Sequence, residues 1–189
     1  MTIEINPDIT SLKESSTLKI NQTARKLRAE GKEVFHFGFG QSPFPVHPII
    51  VDELKKYAHV KDYLATQGLP ELRLEIANWY KKNRSYKLSA ENIIIGPGSK
   101  ELIFQALYVL QGPVIIPAPS WVSYGPQVNI RGKHITRVIT KKENKFKLTA
   151  AELDEVCDHL PETQKSIVIN SPNNPTGAVY TDKEEAEKV

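Results

Sequence analysis

The strongest constraint on this 189-residue chain is a change of texture at Asn92. From there four short β-branched runs, Ile93–Ile95, Val114–Ile116, Ile135–Ile139 and Ile167–Ile169, recur with helix-like segments between them. Near-continuous apolar strands are strands buried on both faces, and strands separated by helices run parallel because each crossover returns the chain to the same edge. The pattern predicts an α/β fold, a mainly parallel sheet with helices on both faces. Helices are expected at Ser99–Leu110, Trp121–Arg131 and Thr149–Leu160, the last opened by the capping box Thr149-Ala-Ala-Glu152.

The chain before Asn92 reads as a helical and irregular arm followed by two helices. Leu18, Ala24 and Leu27 mark a helix running into Gly31, a C-terminal stop. Val34-Phe-His-Phe is a short extended piece bounded by Gly38 and Gly40, and the three prolines of GQSPFPVHP carry the chain onward in irregular form. Ile49, Ile50, Leu54 and Tyr57 fall in helical spacing after Pro48; Leu72, Ile76, Trp79 and Tyr80 do so after Pro70. The loop KDYLATQG joins these two helices. We therefore expect an arm over residues 1–45 and a larger domain over 46–189. Thr181-Asp-Lys-Glu184 is a second capping box with no helix stop before Val189, so a truncated domain is expected.

Charge and composition exclude several classes of function. With 25 basic and 22 acidic residues the net charge is only +3, and no polyanion-binding surface or nucleic-acid partner is indicated. Cys157 is the sole cysteine, which excludes an internal disulfide framework and suits a reducing compartment, the cytoplasm. It shares a helical face with Leu153, Val156 and Leu160 and reads as a core thiol. No apolar run approaches the roughly 20 residues of a membrane span. The opening MTIEINPDIT has neither a basic start nor an apolar signal core, so the chain reads as unexported. His36, His47, His59, His134 and His159 are scattered without ligand spacing, and no metal site is expected. The run Lys141–Lys147 reads as a solvated connection, and Trp79 and Tyr80 as packing residues.

In an open parallel sheet ligands bind beyond the carboxyl ends of the strands, so the loops leaving the strands are where chemistry is sought. Three stand out, and parallel strands would bring all three to one edge. Ile93–Ile95 exits into GPGSKE, a glycine-rich turn into a helix N-terminus. Such a turn offers unpaired N–H groups and a favourable dipole to an anion such as phosphate, and is equally a plain capped helix start with Ser99 as the cap. Val114–Ile116 exits into PAPSWVSY, where the Trp121 indole either covers a flat ligand or packs in the core. Ser166–Ile169 exits into NSPNNPTG, where Asn173-Asn174-Pro175 either holds an amide rigidly at that edge or simply makes a turn.

Taken in order, Tyr63 with Gly-Leu-Pro-Glu-Leu-Arg73, Gly-Pro-Gly-Ser-Lys100, Pro-Ser-Trp-Val-Ser-Tyr124 and Asn-Ser-Pro-Asn-Asn-Pro-Thr-Gly177 resemble fold-type I pyridoxal-phosphate enzymes. More narrowly they resemble the class I/II aminotransferases related to aspartate aminotransferase, over essentially the whole chain from about residue 15. The resemblance implies the first part of that family's large domain, preceded by the arm. It implies pyridoxal 5'-phosphate as cofactor, its phosphate held by main-chain N–H groups around Gly98, Ser99 and Lys100. Trp121 would lie against the pyridine ring, and Asn174, before a typically cis proline, would donate to the ring's phenolic oxygen. Gly40 matches the glycine whose backbone approaches the substrate carboxylate. Trp121 and Asn174 would border the substrate as well. Tyr63 matches the tyrosine reaching the phosphate of a neighbouring subunit, which implies a homodimer.

The implied reaction moves an amino group between an amino acid and a 2-oxo acid, as in amino acid metabolism and biosynthesis. An eliminating carbon–sulfur lyase of the same fold and a non-catalytic binding or dimerisation module are the alternatives. The Schiff-base lysine, the aspartate facing the pyridine nitrogen and the arginine for the substrate carboxylate fall after NNPTG in the family. They are expected beyond Val189, so the 189 residues alone are expected to be inactive, and Lys100 does not replace that lysine because its motif puts it at the phosphate end. Phe39 and Phe44 suggest only an apolar entrance, and the particular substrates are not legible.

Overall fold

The computed structural model describes residues 3–12, 14, 16–35, 37, 38, 40, 42–84 and 86–180. The expected helix after Thr181, and the readings of His36 and Phe39, lie outside the described residues. Contacts divide the chain into two compact units, Leu12–Glu91 and Met1–Ser11 with Asn92–Val189.

The unit over residues 12–91 is helical. Helix α2 (Ser16–Ala29) follows a four-residue helix α1 (Pro7–Thr10) that belongs to the other unit. At its end Lys32 N–H donates to the Leu27 carbonyl (3.0 Å) and Gly31 adopts φ +77°, the Schellman closure that only glycine makes without strain. Helix α3 (Pro48–Tyr57) starts at a proline behind His47, whose Nδ1 accepts from Ile49 N–H at 3.3 Å. Helix α4 (Pro70–Arg84) buries Arg73, which donates from Nε (3.0 Å) and Nη2 (2.7 Å) to the Ala90 carbonyl.

The unit containing residues 92–180 is the α/β layer. Helix α5 (Ser99–Val109), strand β1 (Val114–Ala118), helix α6 (Tyr124–Ile130), strand β2 (Ile135–Ile139), helix α7 (Ala150–Asp158) and strand β3 (Ser166–Ile167) follow in order. The strands form one parallel sheet in the order β2-β1-β3, with Val114 beside both Ile135 and Ser166. Side chains alternate across β1, and that alternation builds two cores. Val114 and Ile116 meet Leu107 of α5 and Tyr124 and Val128 of α6 on one face. Ile115 meets Val138 and Leu148 on the other, with Leu153, Val156 and Cys157 of α7 and Leu160 just after it packed against them. Helices therefore cover both faces, and the Thr149–Glu152 capping box opens α7.

Three expectations need correction. Ile93–Ile95 is extended chain leading into the Gly96–Gly98 turn rather than a strand of the described sheet, and Ile94 is 60% exposed. Strand β3 stops after Ile167. Ile115 bonds it on both sides, but the next bond of a parallel ladder would need an N–H from Pro117, which has none. Helix α6 begins at Tyr124 rather than Trp121, since residues 121–124 close a turn with Tyr124 N–H on the Trp121 carbonyl at 3.2 Å.

Candidate functional site

A cleft of about 720 Å³ opens at the carboxyl end of β1 and β3. Ser99 from the first turn of α5, Trp121 from the loop after β1, and Asn170 and Asn174 from the loop after β3 all line it, with Ile103 and Tyr124 forming apolar wall. Three segments more than 20 residues apart in sequence thus share one hollow.

At the first of these, Gly98 and not Ser99 is the N-cap, with φ +103° and ψ 152° and no side-chain cap bond. A residue with a Cβ is strained at this φ, whereas glycine adopts it freely. The uncapped turn leaves the leading N–H groups of α5 directed out of the helix end, where the dipole favours negative charge. Lys100 holds its ammonium 5.7 Å from the centre of the Trp121 ring, a cation–π contact.

Trp121 belongs to the core and to the wall of the cleft. Its ring packs against the Leu107–Val114–Val128 cluster and meets Tyr124 edge-on, 5.4 Å between centroids at 85°, while also lining the cleft. Tyr124 is buried, and desolvation raises its phenol above the usual 10.0, so it stays neutral.

The asparagines of NSPNNPTG divide their work. Asn170 Oδ1 accepts from Asn174 N–H at 2.8 Å. Asn173 Nδ2 donates to Thr176 Oγ1 (2.8 Å) and to the Pro119 carbonyl (3.1 Å), bridging to the loop that carries Trp121. Asn173 N–H donates to the Ala178 carbonyl and Gly177 N–H to the Asn173 carbonyl, both at 2.8 Å, which closes the turn. The Asn174 side chain makes no hydrogen bond among the described residues, and the Asn174–Pro175 bond is cis. Sequence reading missed Asn170 and Asn173 as supports; the surplus of amides in one turn was their only signal. Gln127 was missed also, a polar residue on the α6 face otherwise occupied by Tyr124 and Val128.

Gly40 and Tyr63 belong to the unit over residues 12–91. A Cβ at Gly40 would meet nothing within 4 Å, and Tyr63 is fully exposed. Among the described residues no group of histidine, cysteine or acidic side chains could hold a metal ion, and no helix is long and apolar enough to cross a membrane.

Comparison with known proteins gives this geometry a context. Residues 32–189 match the family model for aminotransferase class I and II. A probable aspartate/prephenate aminotransferase of Rhizobium leguminosarum bv. phaseoli is 37% identical over 93% of this chain and 44% of its own length. Aspartate aminotransferase of Bacillus subtilis (strain 168) is 35% identical over 93% of this chain and 45% of its own. Among solved structures, aspartate aminotransferase from Thermus thermophilus with maleate superposes with TM-score 0.89 at 27% identity, covering 99% of this chain and 49% of that one. The Thermotoga maritima aspartate aminotransferase gives TM-score 0.86 at 30% identity over 97% and 49%. The chain spans about half the length of the relatives it matches.

Proposed function

The chain belongs to the class I and II aminotransferases, and we propose that it is the amino-terminal, cofactor-holding portion of an enzyme that moves an amino group between an amino acid and a 2-oxo acid. The observation that carries this reading is the shared cleft: Ser99, Trp121 and Asn174 converge there from three distant segments.

The donor set fits pyridoxal 5'-phosphate. The uncapped N-terminus of α5 suits a phosphate, with the N–H groups of Ser99 and Lys100 as donors around Gly98. The Trp121 face suits a flat heteroaromatic ring, and the amide of Asn174 has donors to spare for an oxygen on that ring. The cofactor supplies, when bound, the electron sink that stabilises a carbanion next to the amino group. The chain's own residues bind, orient and shield: Asn173 and Asn170 keep the Asn174 loop in place, and the apolar wall of Ile103 and Tyr124 limits water on the ring side. Gly40 would border the substrate carboxylate and Tyr63 would reach the phosphate site of a second copy, making the working form a homodimer in the cytoplasm. Residues 1–45 would form the arm at the entrance and 46–189 the first part of the large domain.

The relatives' names make aspartate the first amino donor to try. The intact protein given pyridoxal 5'-phosphate should develop a new visible absorbance band, lose it on adding L-aspartate, and regain it on adding a 2-oxo acid, with the corresponding amino acid formed. An unchanged spectrum through all three additions would refute the reading.

A further inference from the structure

We propose that Gln127 is a positioning residue for the phosphate-holding turn: reaching across from α6, it fixes the Lys100 carbonyl and so the direction of the N–H groups at the start of α5. This rests on the reading above that the turn holds a phosphate.

Gln127 is 6% exposed. It stands on the buried side of α6 next to Tyr124 and Val128, both members of the apolar cluster around Leu107, where a leucine or methionine would be the ordinary occupant. Its Nε2 instead donates to the Lys100 carbonyl at 2.7 Å, across 27 residues of sequence. Its Oε1 is buried with no partner among the described residues, an arrangement that costs free energy. Turning the amide over would not cure this, because two acceptors would then face one another at Lys100. Glutamine is therefore a poor choice for stability at this position, and its single well-made hydrogen bond is the feature left to account for it.

That bond falls where the turn is most lightly held. Gly98 has the largest backbone freedom of any residue type and no side-chain cap. The first bond of the helix, from Leu102 N–H to the Gly98 carbonyl, is long at 3.4 Å. Gln127 ties the turn to α6, the helix that the Trp121 loop leads into. Ring support and phosphate donors are thereby held in one frame, and a small displacement between them would weaken phosphate binding while leaving the ring site as it was.

The test measures, in the intact protein, the dissociation constants of pyridoxal 5'-phosphate and of pyridoxal by quenching of tryptophan fluorescence. Gln127→Met keeps the stem and volume but removes the donor. It should lower the preference for the phosphorylated form roughly five- to tenfold, with pyridoxal affinity within about twofold and thermal stability unchanged or raised. Gln127→Asn keeps an amide too short to reach Lys100 and should lose the same preference. Equal weakening of both ligands in the two variants would show a packing role only, and an unchanged ratio would show no role; either overturns the inference while the cofactor reading stands. A wild-type protein that does not distinguish the two ligands would overturn both.

Discussion

Residues 92–180 bury Val114, Ile115, Ile116, Val128 and Leu148 almost completely, whereas the described residues of 12–91 bury no apolar side chain larger than alanine. The difference follows from secondary structure. A strand presents both faces at once, so the five residues of β1 feed two helical layers and close two cores. A helix presents one stripe, and α3 shows its stripe of Ile49, Ile50, Leu54 and Tyr57 more than half exposed. The long side chain that residues 12–91 do bury is a charged one, Arg73, 5% exposed and doubly bonded to the Ala90 carbonyl. One unit is thus organised by apolar packing and the other by a buried hydrogen-bonding centre.

The largest effect that would sharpen this contrast is in the sheet. Ile115→Ala removes three carbons from a side chain 1% exposed and should cost about 2–5 kcal/mol, while Leu54→Ala, at a position 71% exposed, should stay within about 0.5 kcal/mol. Urea unfolding of the intact protein measures both. Equal costs would break the comparison by showing that the α3 stripe is covered by contacts outside the described set.

A smaller effect is expected at Arg73. Arg73→Met keeps the stem but strips the Ala90 carbonyl of two donors, and should cost about 1–3 kcal/mol. The Glu91 carboxylate lies 3.6 Å from Nη2 but its side chain is 81% exposed, so that pair adds little and the loss should barely change with added salt. A cost that vanishes at high salt would assign the effect to the ion pair instead.

What could be read from the sequence was whatever is settled locally. The capping box at Thr149, the glycine stop at Gly31 and the alternation of helix and strand from Ser99 onward each depend on neighbours a few residues away, and the structure holds all of them. The convergence of Ser99, Trp121 and Asn174 on one cleft was legible only as loops expected to follow strands. What escaped depends on partners far off in sequence. The β-branched run at Ile93 looks like a strand but is not one of the strands of the described sheet. The end of β3 is set by Pro117 on its neighbour, visible in the sequence but meaningless without the register. Asn173 finds Pro119 across 54 residues and Gln127 finds Lys100 across 27, and nothing local marks either amide as a support.

The smallest expected effect isolates the buried tyrosine at the junction of core and cleft. Burial raises the Tyr124 phenol above its unfolded value of 10.0, so above that pH the unfolded chain gives up a proton that the folded chain retains. Stability from this group is complete below pH 10 and declines as pH rises through the folded value. Lys133 slopes the other way. Its ammonium is lowered by desolvation and by Arg131, so its contribution is complete above 10.5 and is lost as pH falls through the folded value. The two opposing slopes make the wild-type profile alone ambiguous, but Tyr124→Phe removes only the first. The difference between wild-type and variant unfolding midpoints should be flat from pH 8 to about 9.5 and then move in favour of the variant as pH rises further. A difference that stays flat to pH 11 would mean that the phenol opens to water in the folded protein, and would place Tyr124 with the exposed aromatics of residues 12–91 rather than with the core.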